Sequence, residues 1–199
     1  PVGLDALDGE AGGGERAFAV EHRDFAAVEL LQQLGGVEGD EVDHALRQRF
    51  LDGDDADKTA ILREILRLEP MAGMIYRRTT AELTGVTPEP IPADTRLSLS
   101  IRAANVDEAH VGACPFALDP DRAKRFKVND SYLSFGAGEH LCPGRNVALS
   151  EARVFLDRLL RVPGVRLVRA PDIHFLPPLL GTYELRNCVI ACDQETRHE

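Results

Sequence analysis

Residues 135–148 read Phe135-Gly136-Ala137-Gly138-Glu139-His140-Leu141-Cys142-Pro143-Gly144-Arg145-Asn146-Val147-Ala148. Beyond them, the apolar spacing of Ala148, Ala152, Phe155 and Leu159 predicts a helix from about Arg145 to Arg161, stopped by Pro163-Gly164. Cys142 therefore lies just ahead of a helix N-terminus, where backbone amides can point at its sulfur. Such positions, and nearby cations, favour thiolate over thiol. Gly136, Gly138 and Gly144 let the backbone take turn conformations that other residues resist. The competing reading is a buried, inert cysteine in a glycine-rich turn.

Upstream, the chain reads as helices first and irregular structure later. Pro1 to Arg16, with Gly9, Gly12, Gly13 and Gly14 among acids, reads as a flexible acidic lead. Phe18, Phe25, Val28, Leu31 and Leu34 fit one face of a helix from Ala17 to Leu34, ended by Gly35-Gly36. Val42, Leu46 and Phe50 predict a second helix from Asp40 to about Leu51. A third runs from Lys58 to Glu69, with Asp57 as N-cap, Ile61, Ile65 and Leu68 on one side, and Pro70 as its stop. On this helix Glu64 and Arg67 are three residues apart, share a face and can pair.

Gly73–Thr80 and Arg96–Ile101 read as short strands either side of the turn Pro88–Pro92. From Ala103 to Ser134 little periodicity is sustained, and irregular stretches of that length inside a domain usually serve a function. From Val165 onward short strands and a hairpin around Gly181 are expected.

The length, 199 residues, suits one domain. Thirty-three acidic against 23 basic side chains leave a net charge of −10, and the imbalance is local: residues 1–60 hold 15 acids and 5 bases, residues 61–199 hold 18 of each. That balance argues against non-specific nucleic-acid binding. No apolar run approaches the ~20 residues that span a bilayer, and no basic-then-apolar start resembles a signal peptide, so a cytoplasmic protein with no membrane partner is expected. Cys114, Cys142, Cys188 and Cys192 include no CxxC pair, which excludes a zinc ribbon or thioredoxin-type motif.

Phe135, Gly138, His140, Cys142 and Gly144 fit the pattern FxxGxHxCxG. The stretch resembles the heme-binding loop of the cytochrome P-450 family, and Glu64-Ile65-Leu66-Arg67 resembles its ExxR motif. The resemblance implies a mainly α fold with small β-sheets (α+β), of which this chain is the C-terminal heme-binding half with the distal half absent. Its expected division is the lead over 1–16 and a single partial heme-binding domain over 17–199. The resemblance further implies heme b with Cys142 as the thiolate ligand to iron, which favours O–O cleavage. Phe135, Gly136, Gly138, Gly144 and the small Ala148 would frame the cofactor. Arg77, ten residues after Arg67, and His140 would serve the heme propionates. Glu64 and Arg67 would be structural, locking the irregular stretch ahead of the heme loop.

Family members often place an arginine just before a phenylalanine in that stretch. Here the order is Cys114-Pro115-Phe116, so Arg122, Arg125 or no group at all completes the Glu64–Arg67 network. Segments that often touch substrate correspond to Met71–Tyr76 and Leu179–Tyr183, where hydrophobic core is an equal reading. The acid–threonine pair of the family's oxygen-binding helix has no counterpart, since Ala19-Val20-Glu21-His22-Arg23-Asp24 holds no Thr or Ser. The implied activity is monooxygenase-type oxidoreduction of a small apolar organic substrate. It would draw electrons from a ferredoxin or flavoprotein, with further residues, a second chain or a homodimer covering the distal heme face. The alternatives are an open-faced heme protein with peroxidase- or peroxygenase-like chemistry or none, and a fragment that keeps the fold without heme.

Overall fold

The computed structural model describes residues 4–6, 15–20, 44–129, 131–176 and 183–193. In chain order the elements are β1 (Leu4–Ala6), β2 (Glu15–Val20), α1 (His44–Asp52), α2 (Asp55–Leu68), β3 (Met74–Arg78), β4 (Arg96–Ser100), α3 (Ile101–Asn105), α4 (Glu108–Val111), α5 (Arg122–Phe126), α6 (Arg145–Leu159), β5 (Arg166–Arg169), β6 (Asp172–Phe175), β7 (Tyr183–Arg186) and β8 (Cys188–Asp193). Among the described residues no helix is long and apolar enough to cross a membrane.

The helix α2 begins three residues earlier than Lys58, because Asp54 rather than Asp57 caps it. Asp54 accepts from the amides of Ala56 and Asp57, both at 2.9 Å. The Asp57 carboxylate instead pairs with Arg49 of α1 at 3.1 Å. Ile61, Leu62, Ile65 and Leu66 of α2 are buried against Leu46 and Phe50 of α1, Leu149 and Leu156 of α6, and Leu167, Leu185 and Ile190 of the strands. Lys58 Nζ meets Asp157 Oδ1 of α6 at 2.6 Å, and Arg47 of α1 donates to Leu160 O at 3.1 Å. One apolar core thus ties the helices before the irregular stretch to the helix after the cysteine.

Ala17 does not start a helix. Glu15–Val20 is a strand, antiparallel to β8 with Phe18 opposite Ile190, and β1 pairs on its other edge, so strand structure enters the stretch read as a flexible lead. A short run such as Ala17-Phe18-Ala19-Val20 fits either period, and the open edge of β8 decides it by supplying main-chain partners. The rest of that expected helix, through Leu34, and the start of the second helix at Asp40 lie outside the described residues. The sheet order is β1-β2-β8-β5, with hairpins β3-β4 and β6-β7 separate from it. The hairpin β6-β7 flanks Gly181, which itself is outside the described residues. The irregular stretch carries three short helices, α3, α4 and α5, joined by turns.

Candidate functional site

Glu64 and Arg67 lie on the same face of α2 and are both almost fully buried. Arg67 Nη2 meets Glu64 Oε1 at 2.8 Å and Arg67 Nε meets Oε2 at 3.0 Å, a two-pronged pair. The third member is Arg122 of α5, whose Nε donates to Glu64 Oε1 at 3.0 Å. Arg125 pairs with Asp119 instead. Both buried guanidiniums spend their other N–H groups on the irregular stretch. Arg67 donates to the carbonyls of Asn105, Pro115 and Ala117, at 3.0, 2.6 and 3.2 Å. Arg122 donates to those of Val111, Cys114 and Ala117, at 2.8, 3.1 and 2.8 Å. Pro115 cannot donate, yet its carbonyl accepts.

Sequence reasoning missed a fourth member. The Tyr132 hydroxyl donates to Glu64 Oε2 at 3.1 Å, and Arg67 lies 5.6 Å from the centre of its ring. Burial, then the Glu64 carboxylate, push its phenol above the ordinary tyrosine range. No local signal marks Tyr132, whose partner is 68 residues away.

The cysteine loop follows directly. Phe135 is half-buried and packs on the core, and its carbonyl accepts from the Cys142 amide at 2.8 Å, closing the loop at its neck. Within it, Gly138–His140 forms one 3-10 turn, tightened by Leu141 N donating to Gly138 O at 3.1 Å. Gly136 has φ +76° and Gly138 φ +61°. A Cβ on Gly136 would stand 2.9 Å from His140 O, whereas one on Gly138 would meet nothing within 4 Å. The helix α6 then begins at Arg145, and Gly144 at its N-cap brings no capping side chain. Cys142 is exposed, and a Cβ on Gly144 would lie 3.8 Å from its sulfur.

Around the cysteine Leu141 and Val147 are exposed apolar side chains, Val147 to 60%. Ala148 is also exposed, away from the core face on which the helical spacing puts it; Leu149, Leu156 and Leu160 are buried instead. His140 is exposed in the 3-10 turn. Arg77 lies on β3, exposed, its guanidinium donating to Tyr76 O at 2.8 Å, and no ion pair holds it among the described residues. Segment 179–182 is outside the described residues.

A sequence model of the family described as Cytochrome P-450 matches residues 41–169. Erythromycin C-12 hydroxylase of Saccharopolyspora erythraea is 36% identical over 132 residues, which cover 63% of this chain and 31% of that protein. Strychnine-11-hydroxylase of Strychnos nux-vomica is 35% identical over 141 residues, 66% of this chain and 28% of that one. Among solved structures, the Tepidiphilus thermophilus P-450 heme domain superposes with a TM-score of 0.61 at 26% identity, covering 83% of this chain and 36% of that one. An intact type IV self-sufficient cytochrome P-450 monooxygenase gives a TM-score of 0.66 at 25% identity, over 87% and 21% of the two chains. The chain spans about a third of the length of these curated relatives.

Proposed function

The chain belongs to the cytochrome P-450 family, whose cofactor is heme b held by a cysteine thiolate, and from that premise we propose that Cys142 is the thiolate ligand here. The observation that carries this is the exposed Cys142 sulfur, presented at the uncapped start of α6 by a loop closed through the Phe135 carbonyl. The residues fit the group. Among the described residues Cys142 belongs to no group of three or more His, Cys, Asp or Glu side chains that could hold a bare metal ion. Such a donor suits a metal that arrives with its other ligands in place. The surface over Gly138 is open, and Gly144 leaves the sulfur uncrowded. A heme-bound thiolate supplies electron density that favours O–O cleavage.

The chain's own residues then have distinct tasks. Phe135, Gly136, Gly138, Gly144 and Ala148 shape the seat around the sulfur. Arg77 and His140, both exposed, offer an N–H donor each to the heme propionates. Glu64, Arg67 and Arg122 hold the irregular stretch and do no chemistry. The protein to which this chain belongs is then a monooxygenase acting on a small apolar organic substrate, with electrons from a ferredoxin or flavoprotein. Leu141 and Val147, next to the cysteine in sequence, are exposed apolar side chains that a cover over the site would bury, whether from further residues or a partner chain. Water must be excluded from such a site, because it admits side reactions.

Absorbance of the reduced, carbon monoxide-bound protein tests the assignment. Wild type should show the red-shifted band of thiolate ligation, and Cys142→Ala should lose it together with most of the heme. A histidine-type spectrum, or wild-type heme content in Cys142→Ala, would overturn it. Product formed per reducing equivalent consumed, with added peroxide as the comparison, separates a monooxygenase from an open-faced peroxide user.

A further inference from the structure

Asn105 ends α3 and is 1% exposed. Its amide makes three hydrogen bonds, with both N–H groups committed. Nδ2 donates to Arg67 O at 3.1 Å and to Ser134 Oγ at 3.0 Å, while Oδ1 accepts from the Leu133 amide at 3.0 Å. Ser134 Oγ in turn donates to Leu66 O at 2.7 Å. One buried side chain therefore joins the last turn of α2 to Leu133 and Ser134, the two residues that precede Phe135. Phe135 is the neck of the cysteine loop through its bond to the Cys142 amide.

We infer that Asn105 is a positioning residue for the Cys142 thiolate, fixing the inbound arm of the loop to α2 so that the sulfur's place is set from that helix. Two observations favour this over plain packing. The partners on both sides are mainly backbone groups, which cannot re-pair by changing rotamer. The arm itself is held in an unusual conformation, with Tyr132 at φ +48°, which persists only where the surroundings over-determine it. Asn105 touches neither the sulfur nor the seat around it; it acts through Leu133, Ser134 and Phe135. The inference rests on the assignment of Cys142 as heme ligand, and its test separates the two.

Asn105→Asp keeps the shape and the acceptor facing the Leu133 amide, but turns both donors into a carboxylate oxygen. In the protein as purified, hydrogen exchange at the Cys142 amide should rise about tenfold, on the scale of one buried hydrogen bond lost. The amides of Leu167 and Ile190 in the sheet should exchange as in wild type. In the heme-loaded protein, heme should pass to a scavenging protein about tenfold faster, and part of the carbonyl complex should lose its thiolate-type band. Should Asn105→Asp not fold, Ser134→Ala, which removes one arm of the clasp, should raise exchange at Cys142 severalfold. Unchanged exchange at Cys142, or an equal rise at Leu167 and Ile190, would overturn the inference. Wild-type protein lacking thiolate-ligated heme would instead strike the assignment of Cys142, leaving exchange to decide the role of Asn105.

Discussion

Arg122 Nε stands 3.0 Å from Glu64 Oε1 although 58 residues of chain separate them, and each side chain is only 2% exposed. Glu64 is thereby shared between two guanidiniums and the Tyr132 hydroxyl, and the guanidiniums give their remaining N–H groups to carbonyls of the irregular stretch. Removing one partner from a buried ion pair costs about 3–5 kcal/mol, comparable with a whole domain's stability.

Arg122→Lys should accordingly lower the unfolding free energy by about 3 kcal/mol, read as a lower urea midpoint. A single ammonium cannot reach Glu64 and the carbonyls of Val111, Cys114 and Ala117 together. Glu64→Ala should give poorly folded or heme-free protein. Either variant retaining the wild-type midpoint and heme content would contradict a structural role for the network.

The two left-handed glycines of the loop should separate by their surroundings. Alanine at positive φ costs roughly 1–2 kcal/mol, which both Gly136→Ala and Gly138→Ala incur. Only at Gly136 does the new methyl also press on the His140 carbonyl, 2.9 Å away. Heme titration should show Gly136→Ala the weaker binder; equal affinities would mean the loop adjusts freely.

Cysteine alkylation followed by peptide mass spectrometry should rank the thiols. Cys188 is buried, and desolvation pushes its thiol up to about 11, so it should resist labelling at pH 8 in the folded chain. Cys114 and Cys142 are exposed and should react. Adding heme should protect Cys142 and leave Cys114 unchanged. Protection of Cys114 alone would contradict the assigned ligand.

Acid should loosen the contacts that Asp157 and Asp121 make. Hydrogen bonds from Arg161 and Lys58 hold the Asp157 carboxyl below its usual range, and one from Arg49 does the same for Asp121. The unfolded chain therefore binds protons more readily at these sites, so stability rises with pH across the interval between folded and unfolded values. Their contribution is complete above the unfolded value of about 4 and is lost as pH falls through the folded one. Asp157→Asn should flatten this part of the stability-versus-pH curve; an unchanged acid limb would mean the pair contributes nothing.

What could be read from sequence was local. The glycine-framed cysteine announces its loop because φ-permissive residues and the following helix lie within a few positions of it. Glu64 and Arg67 are legible as a pair because one helical turn brings them together. Arg122 is legible only as one of two candidate partners, and Tyr132 and Asn105 carry no signal. Their partners lie 58, 68 and 38 residues away, and no periodicity encodes such a distance. The strand at Glu15–Val20 reads in sequence as the end of a flexible lead through Arg16 and the start of a helix from Ala17 for the same reason, since the deciding partner is β8, at the other end of the chain.

The junction of α2 with α6 has a consequence for the order of assembly. Lys58 and Asp157 are 99 residues apart in sequence, and the cysteine loop lies inside the span they close. Drawing the ends of so long a segment together costs on the order of 4 kcal/mol of chain entropy, whereas the β3–β4 hairpin closes locally. The loop's neck at Phe135 packs on the core that this closure creates, so its shape exists only once the two helices have met. A cofactor bound by that shape is a late arrival in folding. By mass action it draws the helix pairing along with it, making the newly synthesised chain's hold on its helices depend on the supply of heme.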